Sequence, residues 1–180
     1  MGKKSILSYT FEIYLKNFGL ILLAAVPGLF GLIIPLVVGM PTYIALGGAY
    51  LRTGTIPDLG IGAAVFMIIA LLISLYLMSF AIVGINLVVK RQRTLKRLST
   101  EEIASVAKYT NSVFLIFLIG TVLLLLVQLL TFEYQIQKFL APVLNLIVGF
   151  GLLFLPAAMV MDDARAFRAL QKSFDVVIKK

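Results

Sequence analysis

Residues 61–89 read IGAAVFMIIALLISLYLMSFAIVGINLVV, 29 consecutive positions without an ionisable side chain. Coiled as an α-helix, this stretch is roughly 43 Å long, whereas the hydrocarbon layer of a bilayer is about 30 Å thick. Three further runs share its character: Phe18 to Val38, Val113 to Phe132 and Val143 to Met161 also lack any ionisable residue. Hydrocarbon offers backbone N–H and C=O groups no partner, so a spanning segment must pair them internally, and all four runs are expected as helices. The second run exceeds the layer and should tilt, kink or project into water. The expected fold class is therefore all-α: an integral membrane four-helix transmembrane bundle with amphipathic cytoplasmic helices at both ends. Residues 1–180 form a single transmembrane domain.

Composition supports this reading. Hydrophobic residues make up 61% of the 180 positions and charged residues 13%, against about 45–50% and 25% in soluble domains. Histidine, cysteine and tryptophan are all absent. A Cys/His zinc site, a thiol nucleophile, a disulfide and an imidazole general base are thereby excluded, and no cofactor is expected. Sixteen Lys and Arg against eight Asp and Glu leave a formal charge of +8. In so apolar a chain that excess is expected at a membrane surface and not on nucleic acid.

The basic residues alternate along the chain. Lys3, Lys4 and Lys16 precede the first run; Lys90, Arg91, Arg93, Lys96, Arg97 and Lys108 lie between the second and third; Arg165, Arg168, Lys172, Lys179 and Lys180 follow the fourth. The other two connections hold one each, Arg52 and Lys138. With both termini and the middle loop in the cytoplasm, 14 of the 16 lie inside, as the positive-inside bias requires. The expected location is the cell membrane, multi-pass, with both termini cytoplasmic.

The first run starts too late and extends too far for a cleaved signal core, and Ile6 stands where a myristoylated Gly2 would want Ser or Thr. Its Pro27 and Pro35, flanking Gly28 and Gly31, predict a bent helix. The apolar piece Ile44 to Leu51, within the outer segment 39–59, is too short to span; its role stays open.

Residues 4–17 read as an amphipathic helix. Leu7, Phe11, Tyr14 and Phe18 share one stripe, Lys4, Ser8, Glu12 and Lys16 the other, and Glu12–Lys16 is a favourable i, i+4 pair. Residues 164–180 repeat the arrangement, with Phe167, Leu170, Phe174 and Val177 on one face. At an offset of 163 residues, Leu7 falls on Leu170, Phe11 on Phe174 and Lys16 on Lys179, while Thr10/Ser173 and Glu12/Asp175 are close substitutions. A true repeat would make the chain a half-unit or a truncated one. Between the second and third runs, Ser99 and Glu102 fit a capping box, so the third helix should begin near Thr100.

The spans contain few polar groups. Asn86, Gln128 and Asn145 are candidates for intramembrane polar contacts, Gln128 and Asn145 with each other. Ala70, Ser74, Ala81 and Gly84 form a small-residue face on the second helix, for which Gly28, Gly31 and Gly149 are possible partners. Asp162 and Asp163 invite a Mg²⁺-dependent enzyme, but adjacent helical residues point about 100° apart and no third carboxylate follows at i+3 or i+4. No metal site and no catalytic residue is assigned. Neither a phosphate-binding loop nor a nucleophile elbow is present.

The stretches S-Y-T-F-E-I-Y-L-K-N from Ser8 and A-L-Q-K-S-F-D-V-V-I-K-K from Ala169 resemble a group of prokaryotic membrane-domain families, among them the membrane domain found ahead of glycerophosphodiester phosphodiesterases. Those families place an A-x-x-x-S-F-x-x-x-x-K helix on the cytoplasmic side between spans. The resemblance implies a helical membrane bundle and no defined chemistry, since their catalytic domain is missing from this sequence.

The expected function is non-enzymatic: binding of anionic membrane lipid, or of partner proteins, through a basic cytoplasmic face built from Lys90, Arg91, Arg93, Lys96, Arg97, Arg165 and Arg168. A homo-oligomer or a membrane-protein partner is also expected. A transporter or channel protomer whose pathway forms in an oligomer, and a lipid-modifying enzyme, remain as alternatives.

Overall fold

The computed structural model describes residues 11–12, 14–16, 18–38, 61–94, 100–131 and 137–178. The described residues are almost wholly helical, with no strand among them. Six helices follow in order: α1 Phe18–Val38, α2 Ile61–Thr94, α3 Thr100–Leu130, α4 Gln137–Leu153, α5 Leu155–Met161 and α6 Ala166–Ile178. Four candidate spans, Phe18–Val38, Val65–Lys90, Ser105–Val127 and Phe139–Met161, have the length and apolarity to cross a membrane. The third helix begins at Thr100, as the sequence pattern predicted. The outer segment 39–59, the Ser99 cap and most of the stretch 4–17 lie outside the described residues. Residues 11–12 and 14–16 are helical, and Lys16 Nζ pairs with Glu12 Oε1 at 2.8 Å.

Helix α1 packs chiefly on α2, through the small residues the spacing had marked. A Cβ added at Gly28 would stand 2.9 Å from Cβ of Ala81, and one at Gly31 would stand 2.8 Å from the Ser74 carbonyl oxygen. Only glycine allows this approach. Ala24 meets Gly84 in the same seam, whereas nothing approaches Gly149, which takes no part in it. The helix runs through both Pro27 and Pro35. Proline 35 has no N–H to give the carbonyl four residues earlier, that of Gly31. The Ser74 hydroxyl supplies the missing donor from α2, at 2.5 Å.

The fourth apolar run is not one helix. It breaks at Phe154 (φ −96°, ψ −3°) between α4 and α5, because Pro156 cannot donate to the Leu152 carbonyl and its ring crowds the turn before it. Across the break, the Phe154 N–H donates to Ser173 Oγ at 3.1 Å, and that hydroxyl donates to the Phe150 carbonyl at 3.3 Å. A side chain of α6 thus sits inside the i→i−4 ladder of the fourth run. Next to it the Phe174 ring lies on Gly151, where a Cβ would be 2.5 Å from Cζ.

These contacts correct the expected face of the last helix. Ala169 and Ser173 are fully buried while Phe167 is 80% exposed, so α6 docks by its A-x-x-x-S-F residues onto α4 and α5. The best-buried cluster, Val83, Leu87, Val113, Leu155, Met159, Val160 and Ala169, forms where α2, α3, α5 and α6 meet. Along the rest of the long helices most large apolar side chains are exposed.

Candidate functional site: the basic end of the bundle

The chain leaves α5 at Met161, reverses over residues 162–165 and returns along α4 and α5 as α6. Asp163 takes the left-handed conformation in this turn, with φ 48°, a region that aspartate tolerates better than most residues. Its carboxylate faces back to the bundle. Lys90 Nζ of α2 donates to both oxygens, at 3.0 and 3.1 Å, and the Tyr109 hydroxyl of α3 donates to Oδ1. One carboxylate thereby ties α2 and α3 to the α5–α6 turn. The Tyr109 hydrogen bond and the Lys90 ammonium hold Asp163 below the usual carboxylate range, against the opposing effect of its partial burial.

The neighbouring Asp162 faces a different partner. Lys172 Nζ, one α6 turn before Val176, reaches its Oδ2 at 2.8 Å. The two adjacent carboxylates therefore serve separate cations, and no group of three His, Cys, Asp or Glu converges on one point among the described residues.

Three cations at this end, Lys108 of α3 together with Arg165 and Arg168, have no carboxylate partner among the described residues. Arg165, in the turn, and Arg168, in the first turn of α6, are exposed and form no ion pair among the described residues. No acidic residue occupies that first turn. The amino end of a helix is its positive end, where a cation is disfavoured by roughly 0.3–1 kcal/mol, so the pair sits where only an anion would relieve it. Both line a polar pocket of about 480 Å³ with Asp162, Asp163, Ala164 and Lys172. Beyond Asp162 and Lys172 it continues into a groove of about 630 Å³ between α5 and α6, lined by Phe154, Ala157, Ala158, Met161 and Val176, with Ser173 and Asp175 on its α6 side.

Of the residues expected to bind, Lys90, Arg165 and Arg168 come to this end of the bundle, Lys90 already bound to Asp163. Arg91 and Arg93 are in the last turn of α2 with side chains outside the described set, and Lys96 and Arg97 lie outside the described residues altogether. The expected intramembrane contacts are local or open: Asn86 Nδ2 donates to the Ile82 carbonyl of its own helix at 2.8 Å. Asn145 is exposed on α4, and the side chain of Gln128 lies outside the described set. Ser79 and Thr121 likewise donate to the carbonyls of Leu75 and Phe117 in their own helices. Sequence reasoning missed Tyr109 and Lys172 as partners of the two aspartates. It also missed the part played by Ser173, although the S-F pair was the most distinctive element of the repeated motif. Comparisons of the chain with protein-family models, with curated proteins and with solved structures return no match.

Proposed function

We propose that this is a multi-pass membrane protein whose basic end faces the cytoplasm with both termini, and which binds anionic lipid there without chemical turnover. The observation that carries the reading is the Arg165–Arg168 pair, exposed beside a polar pocket and unmatched by carboxylate. The distribution of the other basic residues supports the orientation. A basic residue near an anionic surface gains about 1 kcal/mol, and guanidinium groups suit phosphate oxygens better than ammonium groups do. In this reading residues 4–17 form a second interfacial helix, with Phe11 and Leu15, both exposed on the described part, turned toward acyl chains. The Gly31 carbonyl, freed by Pro35, is already taken by Ser74, so the proline-containing helix supports packing and not a permeation path.

The test is reconstitution into vesicles with and without anionic lipid, comparing the wild type with Arg165→Glu/Arg168→Glu. The wild type should enrich anionic lipid in its annulus, the enrichment falling with salt and with the double substitution. Equal distribution of anionic and zwitterionic lipid around the wild type would refute the reading.

A further inference from the structure

The α5–α6 groove and the basic pocket adjoin through the same two residues, Asp162 and Lys172. Resting on the lipid-binding reading above, we infer that together they form one site for a single anionic phospholipid: an acyl chain lies along Phe154, Ala157, Met161 and Val176, and the phosphate is held by Arg165 and Arg168. The order of the chemistry fits an amphiphile in a bilayer. The α5 wall from Phe154 to Met161 is apolar over roughly 10 Å of helix rise, within the ~15 Å depth of one leaflet, and the charged groups on that wall begin at Asp162, while α6 adds Ser173 and Asp175 to the lining. The groove volume, about 630 Å³, lies in the range of roughly 300–1,000 Å³ that small-molecule sites occupy. Between the compartments the Asp162–Lys172 pair, 2.8 Å apart, neutralises itself, Asp163 is held by Lys90, and Arg165 and Arg168 form no ion pair among the described residues.

That balance also selects the headgroup. A zwitterionic lipid would bring its ammonium against Arg165 and Arg168, whereas an anionic headgroup such as phosphatidylglycerol brings no cation. Two guanidinium forks match phosphate oxygens in geometry as well as in sign. A free phosphate would leave the larger, apolar compartment empty. The flexible Met161 thioether lets the groove wall adapt to the chain.

Native mass spectrometry on the full chain, released from mixed phosphatidylglycerol and phosphatidylcholine nanodiscs, should retain one phosphatidylglycerol per protomer. Arg165→Gln/Arg168→Gln should weaken retention roughly 30-fold, about fivefold for each arginine. Filling the groove with Ala157→Phe should remove the retained lipid, as should Val176→Trp, whose site is 45% exposed and accommodates bulk without repacking the core. Both groove variants should keep the enrichment of anionic lipid in the annulus. Retention of the lipid in the folded Val176→Trp variant, equal retention of phosphatidylcholine, or displacement by glycerol phosphate as effective as by the lipid itself would each overturn the site. Annular enrichment without a retained lipid would overturn this inference alone; absence of both would overturn the lipid-binding reading as well.

Discussion

Ser173→Ala deletes one oxygen from the interior of the protein and leaves the remaining packing almost unchanged. The oxygen lies between the Phe154 N–H, 3.1 Å away, and the Phe150 carbonyl, 3.3 Å away, on a residue with no exposure. Its loss strands a donor and an acceptor at once. A buried polar group left unpaired costs about 1–3 kcal/mol, and direct closure of the Phe154-to-Phe150 bond would recover part of this. Closure is hindered because Pro156 fixes the backbone two residues on and α6 holds the break open through Phe174 on Gly151. A destabilisation of about 1–3 kcal/mol is therefore expected. It is read from reversible unfolding in mixed micelles, with amide exchange at Phe154 rising by the matching factor of roughly 10 or more. Ser173→Cys, which keeps a weak donor and acceptor, should fall between the two. If Ser173→Ala unfolds with the wild type and the Phe154 amide stays equally protected, the hydroxyl does not belong to the helix ladder and the account of the break fails.

Gly151→Ala should cost about 1–3 kcal/mol by driving its Cβ into the Phe174 ring, whereas Gly149→Ala, with open space around it, should stabilise by about 0.5–1 kcal/mol; the two melting curves, measured side by side, check both. Ser74→Ala should loosen α1 from α2 by about 0.6–2 kcal/mol, seen as faster proteolysis of the α1–α2 connection. Thr110→Val should leave stability unchanged or raise it by about 1 kcal/mol, since the buried Thr110 hydroxyl has no hydrogen-bond partner among the described residues; a loss above that amount would reveal a partner. The Asp163 latch has a folded-state pKa below its unfolded one, so its contribution is present above the ordinary carboxylate range and is lost as pH falls through the folded value. The carboxylate is 64% exposed, which limits the contribution to about 1 kcal/mol or less; Asp163→Asn should flatten the acid limb of the stability profile below about pH 4 and change little at neutrality.

The long helices were legible because their signal is a single quantity, an unbroken absence of charge over some 20 residues or more, that no other structure explains. The α1–α2 seam was legible for a related reason. Small residues spaced at Ala70, Ser74, Ala81 and Gly84 have one common use, and Gly28 and Gly31 were their nearest counterparts. The break at Phe154 was not, since Pro27, Pro35 and Pro142 lie inside unbroken helices while Pro156 does not. In two of these places a serine from another helix serves the disturbed backbone: Ser74 reaches the carbonyl freed by Pro35, and Ser173 reaches across the break before Pro156. Both are contacts between distant parts of the chain, 43 residues apart in one case and 19 in the other. The site shows the same division. Arg165 and Arg168 stood out by charge, whereas the pairing of Asp163 with Lys90 and Tyr109 depends on a left-handed turn whose direction the sequence does not encode locally.

The placement of the buried core bears on how α6 and its arginines are held. Between helices immersed in lipid the hydrophobic effect adds nothing, since a leucine gains no more from another leucine than from an acyl chain; the largely exposed apolar faces of α1, α2 and α3 are consistent with such surroundings. Towards the basic end Val83, Val113, Leu155, Val160 and Ala169 are buried completely. This buried cluster is the base from which α6 and its arginines project. Surface cations that only set topology need no such support, because their effect depends on which loops carry Lys and Arg near the span ends and not on the spacing of two particular side chains. Arg165 and Arg168 stand next to a turn fixed by Asp163 and on a helix fixed by Ser173 and Phe174. Their backbone positions are therefore fixed, a condition that the proposed recognition of one phosphate requires and bulk attraction does not.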